Sequence, residues 1–283
     1  MNQLNIYAFA DEASPMIDGQ ITAMKRNGLQ GLEIRGVDGV NISDISIAKA
    51  REVHTKLAEN GLKVWSIGSP IGKIAIDGDN ATHIEKFRRT LEIAQALHAE
   101  NIRLFSYYID EGKDPADYRN AVIDHLGKLL SYGEGSGIRL CHENEKGIYG
   151  DNAARCRELL DTFPQLFGIF DPANFVQCGQ DTLEGWKLLK DRIFYLHIKD
   201  AVSDGTVVPA GYGEGHLKEI LADFIARGGT SVTVEPHLQA FSGLSNLERP
   251  KEDRKLGVGF HFRDLDESFD KACSSLKEIL AAL

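Results

Sequence analysis

The sequence predicts a single (β/α)8 TIM barrel, eight parallel strands each followed by a helix. Three observations carry that prediction. Short β-type runs recur about 30 residues apart along all 283 residues, room for a helix and two turns between each pair. The segments between the runs carry helical periodicity. No run is followed by the G-x-G-x-x-G turn that would favour an open, doubly wound sheet.

Taken in order, the strands are read at 4–9, 31–35, 63–67, 101–105, 137–143, 167–171, 193–198 and 231–235. A short helix is read near 17–27. The next spans 45–60, where Ile45, Ala48, Val53, Leu57 and Ala58 share one face and charges occupy the other. The third, 82–100, repeats this with Ile84, Phe87, Leu91, Ala94 and Leu97. Further helices are read near 115–133, 151–161, 181–190, 216–227 and 266–282. A small repeat punctuates the turns into strands: Asn27-Gly28-Leu29, Asn60-Gly61-Leu62, and Gly228-Gly229 before the last strand. A glycine there accepts the left-handed backbone that ends a helix. The glycine-rich run 211–215 lacks the G-K-[ST] ending of a phosphate loop and reads as a flexible loop. Residues 236–262 show no periodicity; a loop this long in a barrel is read as a lid or an interface.

Composition excludes several classes. With 42% apolar and 26% charged residues the chain can bury a large core, and a net charge of −10 argues against a nucleic-acid partner. No run approaches the roughly 18 apolar residues of a membrane span, and the N-terminus lacks a signal-peptide pattern. Cys141, Cys156, Cys178 and Cys273 lie far apart, which suits free thiols and a cytoplasmic setting, with Cys141 a packing residue inside a strand.

In such a barrel, side chains at the C-terminal strand ends converge on one site. The last four strands end on Glu143, Asp171, His197 and Glu235, all metal-ligating types. Singly, each has a plain structural reading: a carboxylate capping a helix, a turn at Asp171-Pro172, a core histidine. Together, three carboxylates at one mouth would repel one another without a cation, so the set predicts one bound divalent metal. An oxygen-rich donor set with one imidazole suits Mn²⁺, Mg²⁺ or Co²⁺, and admits Zn²⁺.

The motifs CHENEKGIYGD (141–151), FDPANF (170–175), LHIKDA (196–201), VVPAGYGEG (207–215) and VEPH (234–237), with the FADE start and GLEIRG, resemble the xylose isomerase-like TIM-barrel superfamily of sugar phosphate isomerases and epimerases. The resemblance implies that Glu143, Asp171, His197 and Glu235 hold the metal. It implies also that Glu143 and Glu235 double as acid and base, exchanging a proton next to a sugar carbonyl through an enediolate. Secondary candidates for substrate contact are Lys199 and His237, each two residues past a ligand and so on the same facing. Lys199 has an ion pair with Asp200 or Asp11 as its structural reading. Glu33 and Arg35 end strand two, where they either bind sugar hydroxyls or pair with each other or with neighbouring strands. Asn174, itself a candidate donor to a sugar hydroxyl, stands where many epimerases of the class have a substrate-binding histidine, and Ser203 where an arginine is frequent, so the pocket differs from theirs.

The expectation is a metal-dependent isomerase or epimerase of a sugar, keto-sugar or inosose. Dehydration of an inosose, or elimination from a 3-keto-glycoside, shares its first step and is the alternative. An abasic-site endonuclease of the same barrel needs histidines that Asn174, Ser69 and Ser106 do not supply. A non-catalytic sugar-binding barrel would be expected to have lost a ligand. Barrels of this class often pair, so a homo-oligomer with a contribution from 236–262 is a further expectation.

Overall fold

The structure, a computed structural model, describes residues 4–243, 256–257 and 259–283. Eight strands close into a barrel: β1 (Asn5–Ala8), β2 (Gly31–Ile34), β3 (Lys63–Ile67), β4 (Asn101–Leu104), β5 (Arg139–Glu143), β6 (Phe167–Phe170), β7 (Ile193–Ile198) and β8 (Ser231–Val234). Every neighbouring pair is parallel, and β8 closes on β1 with Ala8 opposite Val234. All eight predicted strands are present, most of them shorter by a residue or two than the apolar runs suggested.

The helices are α1 (Ile17–Arg26), α2 (Ile47–Glu59), α3 (Asn80–Ala96), α4 (Arg119–Gly133), α5 (Ala153–Thr162), α6 (Pro172–Gln177), α7 (Thr182–Leu189), α8 (Leu217–Ala226) and α9 (Leu265–Ala281). Short polar side chains start them: Ser46 accepts from Lys49 N, Asn152 from Arg155 N and Asp181 from Glu184 N. The asparagine-glycine repeats end them as read. Gly28 and Gly61 have φ of 63° and 70°, and Leu29 N and Leu62 N reach back to Met24 O and Leu57 O, each at 3.0 Å.

One helix and two ribbons were not visible in the sequence. Helix α6 is too short to show a period. Two small antiparallel ribbons, residues 36–41 and 200–208, rise from the barrel's upper rim. One reading is corrected: the 211–215 run is tied down rather than flexible. Asp200 accepts the amides of Gly211, Gly213 and Gly215 at 2.9–3.0 Å, and that of Ala201. Of the 236–262 segment, residues 244–255 and 258 lie outside the described residues.

Two layers of apolar packing hold this frame. One extensive cluster fills the space between the strands and the helices. A second, smaller one joins Tyr7, Trp65, Cys141, Ile169 and Tyr195, with Tyr7 and Trp65 stacked at 4.6 Å between centroids. These residues plug the barrel interior. Strand alternation then carries Cys141 to Glu143, Ile169 to Asp171 and Tyr195 to His197, so the charged site stands directly on an aromatic floor. All four cysteines are free thiols. Among the described residues no helix is long and apolar enough to cross a membrane.

Candidate metal centre

The four strand-end residues meet. Glu143, Asp171, His197 and Glu235 each offer one donor atom, and these atoms lie within 4.8 Å of one another. All four are buried. Around His197 Nδ1 stand Glu143 Oε1 at 2.9 Å, Glu235 Oε2 at 3.7 Å and Asp171 Oδ2 at 4.0 Å.

Each carboxylate uses its other oxygen to hold itself in place. Asp171 Oδ1 accepts Asn174 N at 2.9 Å and caps α6. Glu143 Oε2 lies 3.1 Å from an Arg103 guanidinium nitrogen, and Glu235 Oε1 lies 3.2 Å from one of Arg35. His197 is likewise two-sided: its Nε2 faces Glu33 Oε2 at 3.1 Å, which leaves Nδ1 for the centre. Asn144 completes the frame, accepting the Asp171 amide and donating to the Asp171 carbonyl, both at 2.9 Å. The structural readings of Asp171 as a cap and of His197 as a satisfied core residue are therefore true of one side of each.

The secondary candidates all border this centre. Lys199 pairs with neither Asp200 nor Asp11; its Nζ is 2.8 Å from Asp171 Oδ2 and 2.8 Å from Glu235 Oε2. Arg35 and Glu33 do not pair with each other. Arg35 grips Asp11 through two nitrogens, and Glu12 and Glu235 through one each. Glu33 accepts from Tyr195 Oη at 2.9 Å as well as facing His197. Asn174 Nδ2 donates to Glu143 Oε1 at 3.3 Å and to Asn144 O at 2.9 Å. His237, at φ 43°, donates its amide to Glu12 Oε2 and sets Nδ1 3.7 Å from Glu235 Oε1. Ser203 lies at the exposed tip of the 200–208 ribbon, its amide bonded to Glu214.

Sequence reasoning missed Asp11, Glu12 and Arg103. Arg103 carried a signal: an arginine inside the β-run 101–105 is either at an edge or in the barrel interior. It is buried, and its guanidinium sits 5.0 Å from the Phe9 centroid, with that of Arg35 4.5 Å from the same ring. These cations also revise the repulsion argument. Six buried carboxylates (Asp11, Glu12, Glu33, Glu143, Asp171, Glu235) face three permanent cations, Arg35, Arg103 and Lys199. Part of the repulsion is met by the protein itself, but a surplus of negative charge remains.

The surplus shows in the titration of the groups. Burial pushes Asp171 up to about 7 despite Lys199, and Glu12 up to about 7 despite Arg35. For Glu235, burial is outweighed by Lys199, His237 and His197, and its carboxyl stays well below the usual range. His197 resists burial because Glu143 and Glu33 flank it, and rises to about 10. A site that would draw in a proton on its imidazole is one where a cation is favoured. The donor set fits a divalent ion on two counts: three carboxylates and an imidazole converge, and the centre has surplus negative charge.

The comparisons with known proteins agree with this frame. A family model described as the xylose isomerase-like TIM barrel matches residues 21–255. No curated protein matches the chain. Among solved structures, D-psicose 3-epimerase from Clostridium cellulolyticum H10, determined with D-tagatose, has 16% identity and a TM-score of 0.74, covering 98% of this chain and 99% of its own. The probable 3-DHS dehydratase AsbF of petrobactin synthesis from Bacillus anthracis has 14% identity and a TM-score of 0.73, over 97% and 99%. The IolI protein, solved with a zinc atom, has 14% identity and a TM-score of 0.73, over 99% of each chain. At these identities the likeness is one of fold.

Proposed function

The chain belongs to the xylose isomerase-like TIM-barrel family, and from that premise we propose that it is a divalent-metal-dependent isomerase or epimerase of a sugar, keto-sugar or inosose. The observation that carries the reading is the convergence of Glu143, Asp171, His197 and Glu235 on one buried point. These four residues would hold the ion. When bound, a divalent ion supplies a Lewis acid that polarises a carbonyl oxygen and lowers the cost of charge developing on it.

The protein's own groups do the rest. Glu235, ionised at neutral pH, is suited to take a proton from the carbon beside a carbonyl. Glu143 is the partner carboxylate for returning a proton to that carbon. Arg35 and Arg103, packed on Phe9, hold the outer oxygens of these two glutamates and keep them from swinging away. Asn174 and His237 border the two glutamates and are placed to orient substrate hydroxyls. Burial of the whole set keeps water from the reacting carbon.

Elimination at the same site shares the proton-abstraction step, and the dehydratase among the structural neighbours keeps that outcome in the test. The experiment is a panel of D-psicose, D-tagatose, an inosose and a 3-keto-glucoside, each incubated with the protein and Mn²⁺ in D₂O. Deuterium entering a carbon next to a carbonyl, abolished by a chelator and by Glu235→Gln, is the expected result. Exchange without net loss indicates isomerisation or epimerisation; loss of water or aglycone indicates elimination. Exchange that survives both the chelator and Glu235→Gln would sink the mechanism.

A further inference from the structure

One contact at the centre differs in kind from the others. Arg35, Arg103 and the Asn174 amide all hold the outward oxygens of the three carboxylates, leaving the inward oxygens to face His197 Nδ1. Among the described cations Lys199 alone reaches the inward ones; the neutral Asn174 Nδ2 also donates to Glu143 Oε1, at 3.3 Å. The lysine ammonium lies 2.8 Å from Asp171 Oδ2 and 2.8 Å from Glu235 Oε2, the two oxygens that stand 4.0 and 3.7 Å from His197 Nδ1. A residue that only supports metal ligands would hold their spare atoms, as Glu33 holds His197 Nε2.

We infer that Lys199 is a built-in competitor for the metal: its ammonium and the ion require the same two oxygens, so loading the site expels the ammonium. The inference rests on the metal reading of the site. An ion about 2.1 Å from either oxygen stands at most about 5 Å from an ammonium bonded to that oxygen. At that separation, in a buried site, a double and a single positive charge repel strongly. In the metal-free site two carboxylate oxygens, each at 2.8 Å, hold the lysine side chain between them as an ammonium. Once expelled, the ammonium is a donor freed at the edge of the centre, where a substrate oxygen can take it. That second state is the substrate-contact role the strand-end pattern assigns to it.

The test reads metal affinity and needs no substrate. Protein stripped with a chelator is titrated with Mn²⁺, and separately with Zn²⁺, against a chromogenic competitor. Lys199→Met removes the charge and keeps the length, and should bind at least about tenfold more tightly than the unsubstituted protein. Lys199→Arg keeps the charge with a broader, less retractable head and should bind more weakly. Equal or weaker binding by Lys199→Met would overturn the inference and make Lys199 a supporter of the ligands. Failure of both the unsubstituted protein and Lys199→Met to bind either ion would refute the metal reading itself, and the inference with it. Should Lys199→Met not fold, nuclear magnetic resonance on the unsubstituted protein decides. The buried ammonium signal, assigned by its loss in Lys199→Arg, must shift on saturation with Zn²⁺, and an unmoved signal overturns the inference.

Discussion

Glu33 offers the sharpest test of how the centre is oriented. Its Oε2 lies 3.1 Å from His197 Nε2, while its Oε1 accepts from Tyr195 Oη at 2.9 Å and Ser66 Oγ at 3.2 Å. The carboxylate fixes the proton of the neutral imidazole on Nε2 and so leaves the Nδ1 lone pair for a metal. Glu33→Leu removes that acceptor without changing any of the four donor residues. Loss of such a partner weakens metal binding by about 10–100-fold, or roughly 1.4–2.7 kcal/mol. The stability cost is smaller than the list of broken bonds implies. Tyr195 Oη and Ser66 Oγ already lie 3.3 Å apart and can satisfy each other, so the main orphan is His197 Nε2, worth about 1–3 kcal/mol. Against this stands the relief of no longer burying the Glu33 charge. Metal affinity by competitive titration, alongside urea unfolding to establish that the variant is folded, separates the two effects. Glu33→Gln serves as the control, because a rotated amide still offers His197 an oxygen. A folded Glu33→Leu protein that binds Mn²⁺ within about threefold of the unsubstituted chain would refute the tautomer argument.

Three further outcomes follow from the frame around the site. Asp200→Ala leaves four backbone amides of the 201–215 region without their acceptor and should lower stability by on the order of 4 kcal/mol, with faster proteolysis confined to 211–215; an unchanged urea midpoint contradicts this. Gly72 has φ 88°, and an added Cβ would meet Phe105 O at 2.0 Å, so Gly72→Ala should cost more than about 2 kcal/mol in the same assay. His83 accepts the Gly72 amide at 2.7 Å with a neutral ring, and burial, aided by Lys86, pulls its pKa from 6.5 down to about 4. The unfolded chain therefore binds the proton first. The contribution of His83 is complete above pH 6.5 and is lost as pH falls toward 4, roughly 3 kcal/mol in all. His83→Asn should flatten that part of the stability–pH curve, and an unaltered slope would count against the assignment.

How much of this was legible depends on whether the deciding contacts are local. The strands were legible because buried parallel strands are apolar runs, and the helix ends because a glycine just past a helical period takes the left-handed backbone that stops it. The four strand-end residues were legible because the fold alone brings strand ends together. The counter-charges were not, since their pairing depends on which side chains cross the barrel. Arg35 on β2 reaches Glu235 after β8, and nothing in either segment marks the other. Lys199 was placed at the site, but its partners were expected to be Asp200 or Asp11, whereas Asp200 turned inward on its own loop. Helix α6 escaped notice because six residues show no period, and the acidic residue that starts it had already been given another role.

That double role points to a principle in how the centre is built. The plain and the functional readings of Asp171, His197, Glu143 and Glu235 were set against each other as alternatives, yet each residue meets both at once. One atom is spent on the scaffold: Asp171 Oδ1 on a helix cap, His197 Nε2 on Glu33, Glu143 Oε2 and Glu235 Oε1 on arginines. The other atom is thereby aimed inward with little freedom left to lose on binding an ion or a substrate. A carboxylate or imidazole suits this task because it carries two equivalent or nearly equivalent polar atoms on one rigid plane. Lys199 has only one charged atom, and both oxygens that hold it face the centre, so it keeps no side on the scaffold. In a centre of two-sided ligands, the one-sided cation is the part that has to move.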